Sequence, residues 1–300
     1  MRSRSLTRGP DGPPGNDQNQ EPPGHPGRGA PAGRQALKLT LIGLGSGGGQ
    51  GLTLAAKKGL YAAEAVYGYG LYLEQAGPFI RKAEIHASGM TAEMKRAGAA
   101  LDSALSGRRT VVVSGGDTGV YGMAGAVFEV AAARNLDLGP GPGRLSIEVL
   151  PGVPAVVAGA ALLGAPLTHD FCLISLSDRL TPWELIEKRL DLAAQGDFVI
   201  ALYNPKSRGR NWQLGRALEI LARRLGPRTP AGLVSRAGRA GQLTLVTTLD
   251  ELGAAQVDMQ TLIIIGSSRT FIYQGYLITP RGYVDKYGGP LPAGRRKDLL

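Results

Sequence analysis

The sequence is poor in the residues from which metal centres and disulfide scaffolds are built. Its 300 residues include one cysteine, Cys172, and three histidines. A single thiol excludes an internal disulfide, a four-cysteine zinc site and an iron–sulfur cluster held by this chain alone. Cys172 lies in the apolar run 171–174, which predicts a buried, inert thiol. His86 and His169 are interpreted as loop or packing residues, so no protein-bound metal is expected.

Long apolar runs are also missing. Residues 154–165 are apolar but rich in Ala and Gly, and they are shorter than the roughly 20 residues that cross a bilayer. No apolar segment follows the first arginines, so a secretory signal is not indicated. These absences predict a cytoplasmic protein without membrane contact.

Aromatic residues are few, at 6% of the chain, and the body carries no dense run of Lys and Arg. Proteins that track a nucleic-acid strand usually combine clustered basic and aromatic side chains. The formal net charge of +10 still favours an anionic partner. A small polyanionic molecule is therefore preferred over nucleic acid.

What the sequence does contain is an alternation of strand and helix patterns that starts at Leu37. Residues 1–36 are rich in Pro and Gly and predict a disordered basic arm. The alternation predicts an α/β fold with parallel pairing in its first half. Predicted strands are 37–44, 109–114, 145–150, 171–176, 197–203, 231–235 and 261–266. Predicted helices are 52–66, 91–105, 122–135, 154–163, 182–194 and 212–225.

The character of the strand ends changes around residues 166–170, from glycine-rich to polar. We therefore expect two α/β domains, 37–168 and 169–285, with a cleft between them and a flexible basic tail at 286–300. Thr181, Pro182 and Glu184 predict a helix start with Thr181 as N-cap and a capping box. Glu64 falls inside predicted helix 52–66, where its side chain is expected to be solvated.

Two glycine-rich turns each follow an apolar run. They are Gly43-Leu44-Gly45-Ser46-Gly47 and Ser114-Gly115-Gly116-Asp117-Thr118-Gly119. Glycines at strand ends let a ligand approach the backbone, so the pair predicts a nucleotide-like cofactor over the ends of a sheet. A dinucleotide fingerprint is disfavoured, because no acid about 20 residues on ends a second strand. Asp117 has two open interpretations, binding a ligand hydroxyl or capping the following helix.

Several segments together carry a resemblance to a known family. They are the first turn with Leu52-Thr53, the second turn with Val120-Tyr121-Gly122, and residues 151–155, 163–172, 174–178, 181–184 and 197–205. Over roughly residues 37–285 the chain resembles the tetrapyrrole methyltransferases that use S-adenosylmethionine. Within that family it is most similar to the group that methylates C17 of precorrin-3B in cobalamin biosynthesis.

The resemblance implies a fold, a reaction and a set of site residues. The fold is the two-domain tetrapyrrole methylase type, with cofactor and substrate in the cleft, and the protein is a homodimer. The reaction methylates C17 and contracts the macrocycle to precorrin-4. Residues implied to contact S-adenosylmethionine are Gly45, Ser46, Gly115, Gly116, Asp117, Val120, Tyr121, Pro154, Ala155, Leu202 and Tyr203.

Ring contraction moves protons and so needs an acid or a base. The candidates are Asp178, Glu184 and Tyr203. Basic side chains beside the polar strand exits are expected to bind the carboxylates of the tetrapyrrole. They are Arg179, Lys206, Arg208 and Arg236, with Arg210 and Arg239 in the same set.

Three alternatives stay open at this stage. The first is another precorrin or cobalt-precorrin methyltransferase of the same superfamily. The second is an NAD(P)-dependent Rossmann oxidoreductase, and the third is a nucleic-acid-binding module that uses the basic arm. Metal-free and cobalt-containing substrates are both compatible with the sequence.

Overall fold

A computed structural model of the chain describes residues 37–288 with the exception of Gly48, Gln50 and Arg208. Three features predicted from the sequence lie outside the described residues: the arm 1–36, the substrate residue Arg208 and residues 289–300 of the tail. In chain order the elements are β1 (Leu37–Gly43), α1 (Leu54–Ala62), β2 (Ala65–Tyr69), α2 (Gly70–Ala76), β3 (Glu84–Ser88), α3 (Glu93–Leu105), β4 (Thr110–Ser114), α4 (Met123–Ala133), β5 (Leu145–Leu150), α5 (Ala155–Leu163), β6 (Gly164–Ala165), β7 (Phe171–Ser175), α6 (Trp183–Gln195), β8 (Val199–Tyr203), α7 (Gln213–Leu225), β9 (Pro230–Ser235), β10 (Leu243–Thr248), β11 (Thr261–Ile265), β12 (Phe271–Tyr273), β13 (Tyr276–Ile278) and α8 (Tyr283–Tyr287).

The first five strands form a parallel sheet in the order β3-β2-β4-β1-β5. Side chains alternate across a strand, so neighbouring residues enter different cores. Ile42 and Val113 pack with α1 and α2 on one face, whereas Leu41 and Val112 pack with α3 and α4 on the other. The sheet is therefore covered on both faces, as parallel sheets are in α/β proteins.

The adjacent strands β1 and β4 lead into helices on opposite faces of this sheet. Where neighbouring parallel strands send their helices to opposite sides, a crevice opens beyond their carboxyl ends. In this chain the two glycine-rich turns occupy that point, because β1 ends at Gly43 and β4 at Ser114. The topology thus favours a ligand site at the two turns.

The second sheet has the order β10-β9-β11-β8-β7, in which only the pair β7–β8 is parallel. Leu202 and Ile200 pack with α6 and α7 on one face, and Ala201 and Val234 pack with α5 on the other. A small three-stranded sheet in the order β12-β13-β6 adjoins it. Since α5 precedes residue 168 but packs on the second sheet, the chain crosses between sheets early. The domain division at residue 168 stays a prediction.

The α/β class and the early parallel pairing are confirmed, and all seven predicted strands occur within two residues of their expected bounds. Five of the six predicted helices do so as well. The first is wrong at its end, because α1 stops at Ala62 and residues 65–69 form β2. Glu64 consequently lies between two elements, where its carboxylate accepts the Arg109 N–H at 2.8 Å and pairs with the Arg109 guanidinium at 2.9 Å.

The predicted capping box at Thr181 is also wrong. Helix α6 begins at Trp183, its N-cap residue is Pro182, and no side chain donates or accepts at this cap. Pro182 has an extended backbone, with ψ at 139°, so it stands outside the helix instead of opening it. Among the described helices, none is both long and apolar enough to cross a bilayer.

Candidate functional site

The two glycine-rich turns are joined to each other through their backbones. The Gly45 N–H donates to the Gly116 carbonyl at 3.0 Å, and the Gly116 N–H donates to the Gly45 carbonyl at 2.8 Å. Both glycines have positive φ, +73° and +66°, which side chains rarely adopt. The two turns therefore form one continuous stretch of paired backbone beyond the carboxyl ends of β1 and β4. We call this stretch, centred on Gly45 and Gly116, the ledge.

A third strand end packs directly against this ledge. A Cβ added at Gly152, just after β5, would lie 2.3 Å from the Gly116 carbonyl oxygen and 2.6 Å from the Gly43 carbonyl carbon. A Cβ at Gly43 would in turn lie 2.5 Å from the Gly152 nitrogen. Three loops thus meet backbone to backbone, which only glycine permits. We call Gly43, Gly116 and Gly152 the glycine junction.

Asp117 fastens this junction. Its Oδ1 accepts the Gly119 N–H at 2.8 Å and its Oδ2 accepts the Gly152 N–H at 3.0 Å. The first N–H of α4, on Met123, instead donates to the Ser114 hydroxyl at 3.0 Å. The interpretation of Asp117 as a plain helix cap is therefore wrong. Each carboxylate oxygen keeps a further lone pair with which to accept from a ligand.

Two tyrosines link the ledge to the second sheet. The Tyr203 hydroxyl accepts the Val156 N–H at 2.9 Å near the start of α5, and the Tyr121 hydroxyl donates to the Leu173 carbonyl at 3.1 Å. Their rings lie 5.1 Å apart between centroids. Burial raises the pKa of Tyr203 above its ordinary value. Its hydroxyl is therefore protonated near neutral pH and can donate to a group in the cavity.

Turns, tyrosines and the edge of the second sheet enclose one cavity. Ten of the eleven predicted cofactor residues line it: Gly45, Ser46, Gly115, Gly116, Asp117, Val120, Tyr121, Pro154, Ala155 and Tyr203. Leu202 does not. It is fully buried against α6 and α7, because alternation along β8 turns it away from the face that Tyr203 presents. A cofactor contact of the Leu202 side chain is thereby disfavoured, and a contact through its backbone stays a prediction.

Two of the three acid–base candidates lie away from the cavity. The Asp178 carboxylate accepts from the Gln213 amide at 2.9 Å and is not among the lining residues. Glu184 is exposed in the first turn of α6, where it lines a groove shared with α7. Tyr203 alone of the three reaches the cavity.

The predicted substrate-binding cations are also not brought together. Arg179 and Lys206 are exposed and do not line the cavity, and Arg236 pairs with Asp258 at 2.9 Å. Arg210 is buried, and its guanidinium donates to the Leu176 and Asn204 carbonyls at 3.0 and 2.8 Å. Arg210 thereby links the segments that follow β7 and β8. Among the described residues, the cavity is lined by one cationic side chain, that of Arg239.

Sequence reasoning missed a further part of the wall. It comprises Leu71, Tyr72 and Gln75 of α2, and Asn204, Val234, Ala237, Met259, Gln260, Thr261 and Leu262 of the second sheet and its loops. Thr261 is the first residue of β11, which was predicted as a strand. The start of β11 lies at the edge where β8 ends because the two strands run antiparallel. The sequence carries no signal of that direction.

The remaining chemistry of the described residues is sparse. They hold no cluster of three or more His, Cys, Asp and Glu side chains that could bind a metal ion. Cys172 is half-buried instead of buried as predicted, and this burial raises the pKa of its thiol to about 11, which fits an inert thiol. The second strand along the chain, β2, ends at Tyr69 without an acid, which further disfavours a dinucleotide site.

Comparison with known proteins gives this geometry a context. Residues 38–253 match the family model described as tetrapyrrole (corrin/porphyrin) methylases. Over 245 residues the chain is 43% identical to a probable cobalt-factor III C(17)-methyltransferase of Salmonella typhimurium, which covers 82% of this chain and 99% of that protein. It is 42% identical over 252 residues to a precorrin-3B C(17)-methyltransferase of Sinorhizobium, with 82% and 96% covered.

Solved structures show the same fold. The crystal structure of the methyltransferase CobJ matches with a TM-score of 0.74 and 37% identity, over 81% of this chain and 99% of that one. A uroporphyrin-III C-methyltransferase of Thermus thermophilus, complexed with S-adenosyl homocysteine, matches with a TM-score of 0.60 and 24% identity, over 76% and 97%. The second likeness concerns the fold alone.

Proposed function

The chain belongs to the tetrapyrrole (corrin/porphyrin) methylases, and we propose that it methylates C17 of a precorrin-3B-type tetrapyrrole in cobalamin biosynthesis. The methyl donor is S-adenosylmethionine, and the macrocycle contracts in the same reaction. The observation that carries this proposal is the cavity at the two joined turns, lined by residues that the family resemblance assigns to the cofactor. Relatives with C17-methyltransferase names, matched over nearly their whole length, support the position of methylation.

The residues of the cavity suit S-adenosylmethionine. The backbones of Gly45, Gly115 and Gly116 face it without side chains, which leaves room for a flat adenosine and exposes polar groups to it. Asp117 offers lone pairs to a hydroxyl of the ligand. The Tyr72 ring lies against Gly115, where an added Cβ would come within 2.4 Å of it. A structure of the same fold was solved with S-adenosyl homocysteine, which supports this cofactor.

When bound, the cofactor supplies a methyl group that its sulfonium already activates. The task of the chain is therefore to hold two ligands in line and to exclude water, and positioning of this kind supplies most of such catalysis. Gly45, Gly116 and the start of α5 line one part of the cavity, and residues 259–262 and Arg239 line another. No nucleophile of the protein is required for this step.

Contraction of the ring additionally moves protons, and we assign that role to the Tyr203 hydroxyl. Its oxygen accepts from the Val156 N–H, so its own proton is directed to another acceptor. The raised pKa keeps that proton in place until a stronger base develops on the substrate. Asp178 and Glu184 lack this proximity to the cavity.

The experiment that tests the function uses methyl-labelled S-adenosylmethionine with precorrin-3B or with cobalt-factor III. We expect label in a ring-contracted tetrapyrrole, identified by mass spectrometry, and the preferred substrate tells whether cobalt is present in the natural one. Uroporphyrinogen III serves as the control substrate and should remain unlabelled. Absence of label from either C17 substrate, under conditions in which S-adenosyl homocysteine binds, contradicts the proposal.

The proposal extends to location and assembly. The protein acts in the cytoplasm as a homodimer and binds neither membrane nor nucleic acid, as the family resemblance and the sequence composition support. Light scattering coupled to size-exclusion chromatography should give twice the 31.3 kDa mass of the chain. A monomer mass at micromolar concentration would overturn the dimer.

A further inference from the structure

The loop after β9 crosses to the first glycine-rich turn. Gly238, with φ at +70°, sits so close that an added Cβ would lie 3.3 Å from the Ser46 hydroxyl. One residue on, the Arg239 side chain lies on Gly47, where an added Cβ would come within 2.1 Å of the Arg239 Cγ. A residue of the second sheet thus reaches the turn that follows the first strand.

The loop that carries Arg239 is held in place by its own contacts. The Arg236 N–H donates to the Gln260 carbonyl at 3.1 Å, and the Arg236 guanidinium pairs with Asp258. The Gly238 N–H donates to the Gln242 side chain at 2.8 Å. These bonds fix the base of the loop, so Arg239 extends into the cavity from a rigid support.

The guanidinium of Arg239 has no hydrogen-bond acceptor among the described residues, and its Nε is buried. Asp117, a carboxylate that lines the same cavity, already accepts two backbone N–H groups. Asp258, which is nearer in the chain, is paired with Arg236. The Arg239 side chain is half-buried, and burial lowers the pKa of its guanidinium. A partly desolvated cation without an acceptor is costly, which favours an anion of the ligand as its partner.

We propose that Arg239 is the carboxylate-binding residue of the cavity. A guanidinium presents paired donors that match the two oxygens of a carboxylate. Two ligands of the proposed reaction carry such a group: the amino-acid part of the cofactor and the acidic arms of the tetrapyrrole. The inference rests on the proposed function, and the experiment below separates the two sources.

The test compares Arg239→Gln and Arg239→Lys with the native protein. Calorimetry measures the affinity for S-adenosyl homocysteine and for 5′-methylthioadenosine, which has the adenosine and thioether but no carboxylate. Steady-state kinetics gives KM and kcat for the tetrapyrrole. The matched control is Arg224→Gln, an exposed arginine that pairs with Asp191 in the groove between α6 and α7.

If Arg239 binds the cofactor, Arg239→Gln lowers the affinity for S-adenosyl homocysteine about tenfold or more and leaves the affinity for methylthioadenosine unchanged. If it binds the tetrapyrrole, the cofactor affinity is unchanged and KM for the tetrapyrrole rises by a similar factor. In either case Arg239→Lys recovers part of the loss, because the charge is kept. Arg224→Gln should behave as the native protein.

Two results would overturn the inference. One is that Arg239→Gln keeps the native affinity for S-adenosyl homocysteine and the native KM for the tetrapyrrole. The other is that it lowers the affinities for S-adenosyl homocysteine and methylthioadenosine equally, which would mean that Arg239 only shapes the cavity. Failure of the native protein to bind the cofactor or turn over either tetrapyrrole would instead count against the proposed function, so the two failures are distinguishable.

Discussion

At the scale of single residues, Asp117 illustrates how a site can be organised before its ligand arrives. Its two oxygens hold Gly119 in one turn and Gly152 in the next loop. Charge-assisted bonds to backbone N–H groups are stronger than neutral ones and fix direction as well as distance. Asp117 therefore acts on the cavity in two ways, as a wall residue and as the fastening of the glycine junction.

We expect Asp117→Ala to lower both stability and cofactor affinity. Loss of two such bonds at a half-buried site should cost about 1–2 kcal/mol of unfolding free energy, measured by urea denaturation. The affinity for S-adenosyl homocysteine, measured by calorimetry, should fall because the floor of the cavity loosens. Asp117→Asn keeps one oxygen and should lose less, while Asp102→Ala, which removes an exposed carboxylate of α3, should be nearly neutral. Unchanged affinity in Asp117→Ala would remove Asp117 from the site.

A second prediction concerns Cys172. Raising the thiol pKa from 9.0 to about 11 lowers the thiolate fraction at pH 8 about 100-fold. The higher basicity of the thiolate offsets part of this, so we expect labelling by a disulfide reagent to be at least about tenfold slower than in urea. Since the chain has one cysteine, the signal is unambiguous. Labelling at the same rate in the folded and the unfolded protein would contradict the raised pKa of the thiol.

Neighbouring residues show what the sequence could and could not predict. Tyr203 and Leu202 were both expected to contact the cofactor, but alternation along β8 sends them to opposite faces. The two cations Arg236 and Arg239 are three residues apart in one loop, and only the latter lines the cavity. Local pattern identifies the strand end, whereas the direction of a side chain depends on the partner strands and on the course of the loop.

At the scale of elements, the glycine junction decides how closely β1, β4 and β5 can end together. We expect Gly152→Ala to be destabilising by about 1–3 kcal/mol, because its Cβ meets backbone atoms that cannot move independently. Cofactor affinity should fall with it. The matched control is Gly215→Ala in α7, where a Cβ meets nothing within 4 Å and helix propensity favours alanine by up to about 1 kcal/mol. Native stability in Gly152→Ala, measured by urea denaturation, would show that the three loops can separate without cost.

The elements that sequence reasoning missed are short or lie at sheet edges. β2 has five residues, one of them Gly68, and a helical pattern runs up to it from α1. β10 is an edge strand with mostly exposed residues, so it lacks the apolar run that marked the central strands. Strands with a clear apolar run were predictable, and these include the edge strands β5 and β7. The central strand β2 was missed although it is buried, because the helical pattern of α1 continues into it.

At the scale of the whole molecule, the cavity depends on contacts between the two sheets. Tyr203 caps α5, Tyr121 reaches the Leu173 carbonyl, and Arg239 lies on Gly47. Each contact joins residues that are far apart in sequence. The turns were evident from sequence because they are local, but the wall they face is formed only when both sheets are in place. The cavity residues of the second sheet consequently escaped prediction more often than those of the two turns.

This dependence predicts that a ligand of the cavity stabilises the entire fold. A ligand that binds the native state alone, at 100 times its dissociation constant, adds about 2.7 kcal/mol to the free energy of unfolding. For a chain of this size that corresponds to a rise in Tm of roughly 5–10 °C in differential scanning fluorimetry. We expect S-adenosyl homocysteine to give this rise and NADH to give none, since β2 ends without the acid that binds the ribose of NAD. In Gly152→Ala the rise should shrink, because the disrupted junction binds the ligand less tightly. A rise with NADH and none with S-adenosyl homocysteine would assign the joined turns to an oxidoreductase and remove the basis for methyl transfer.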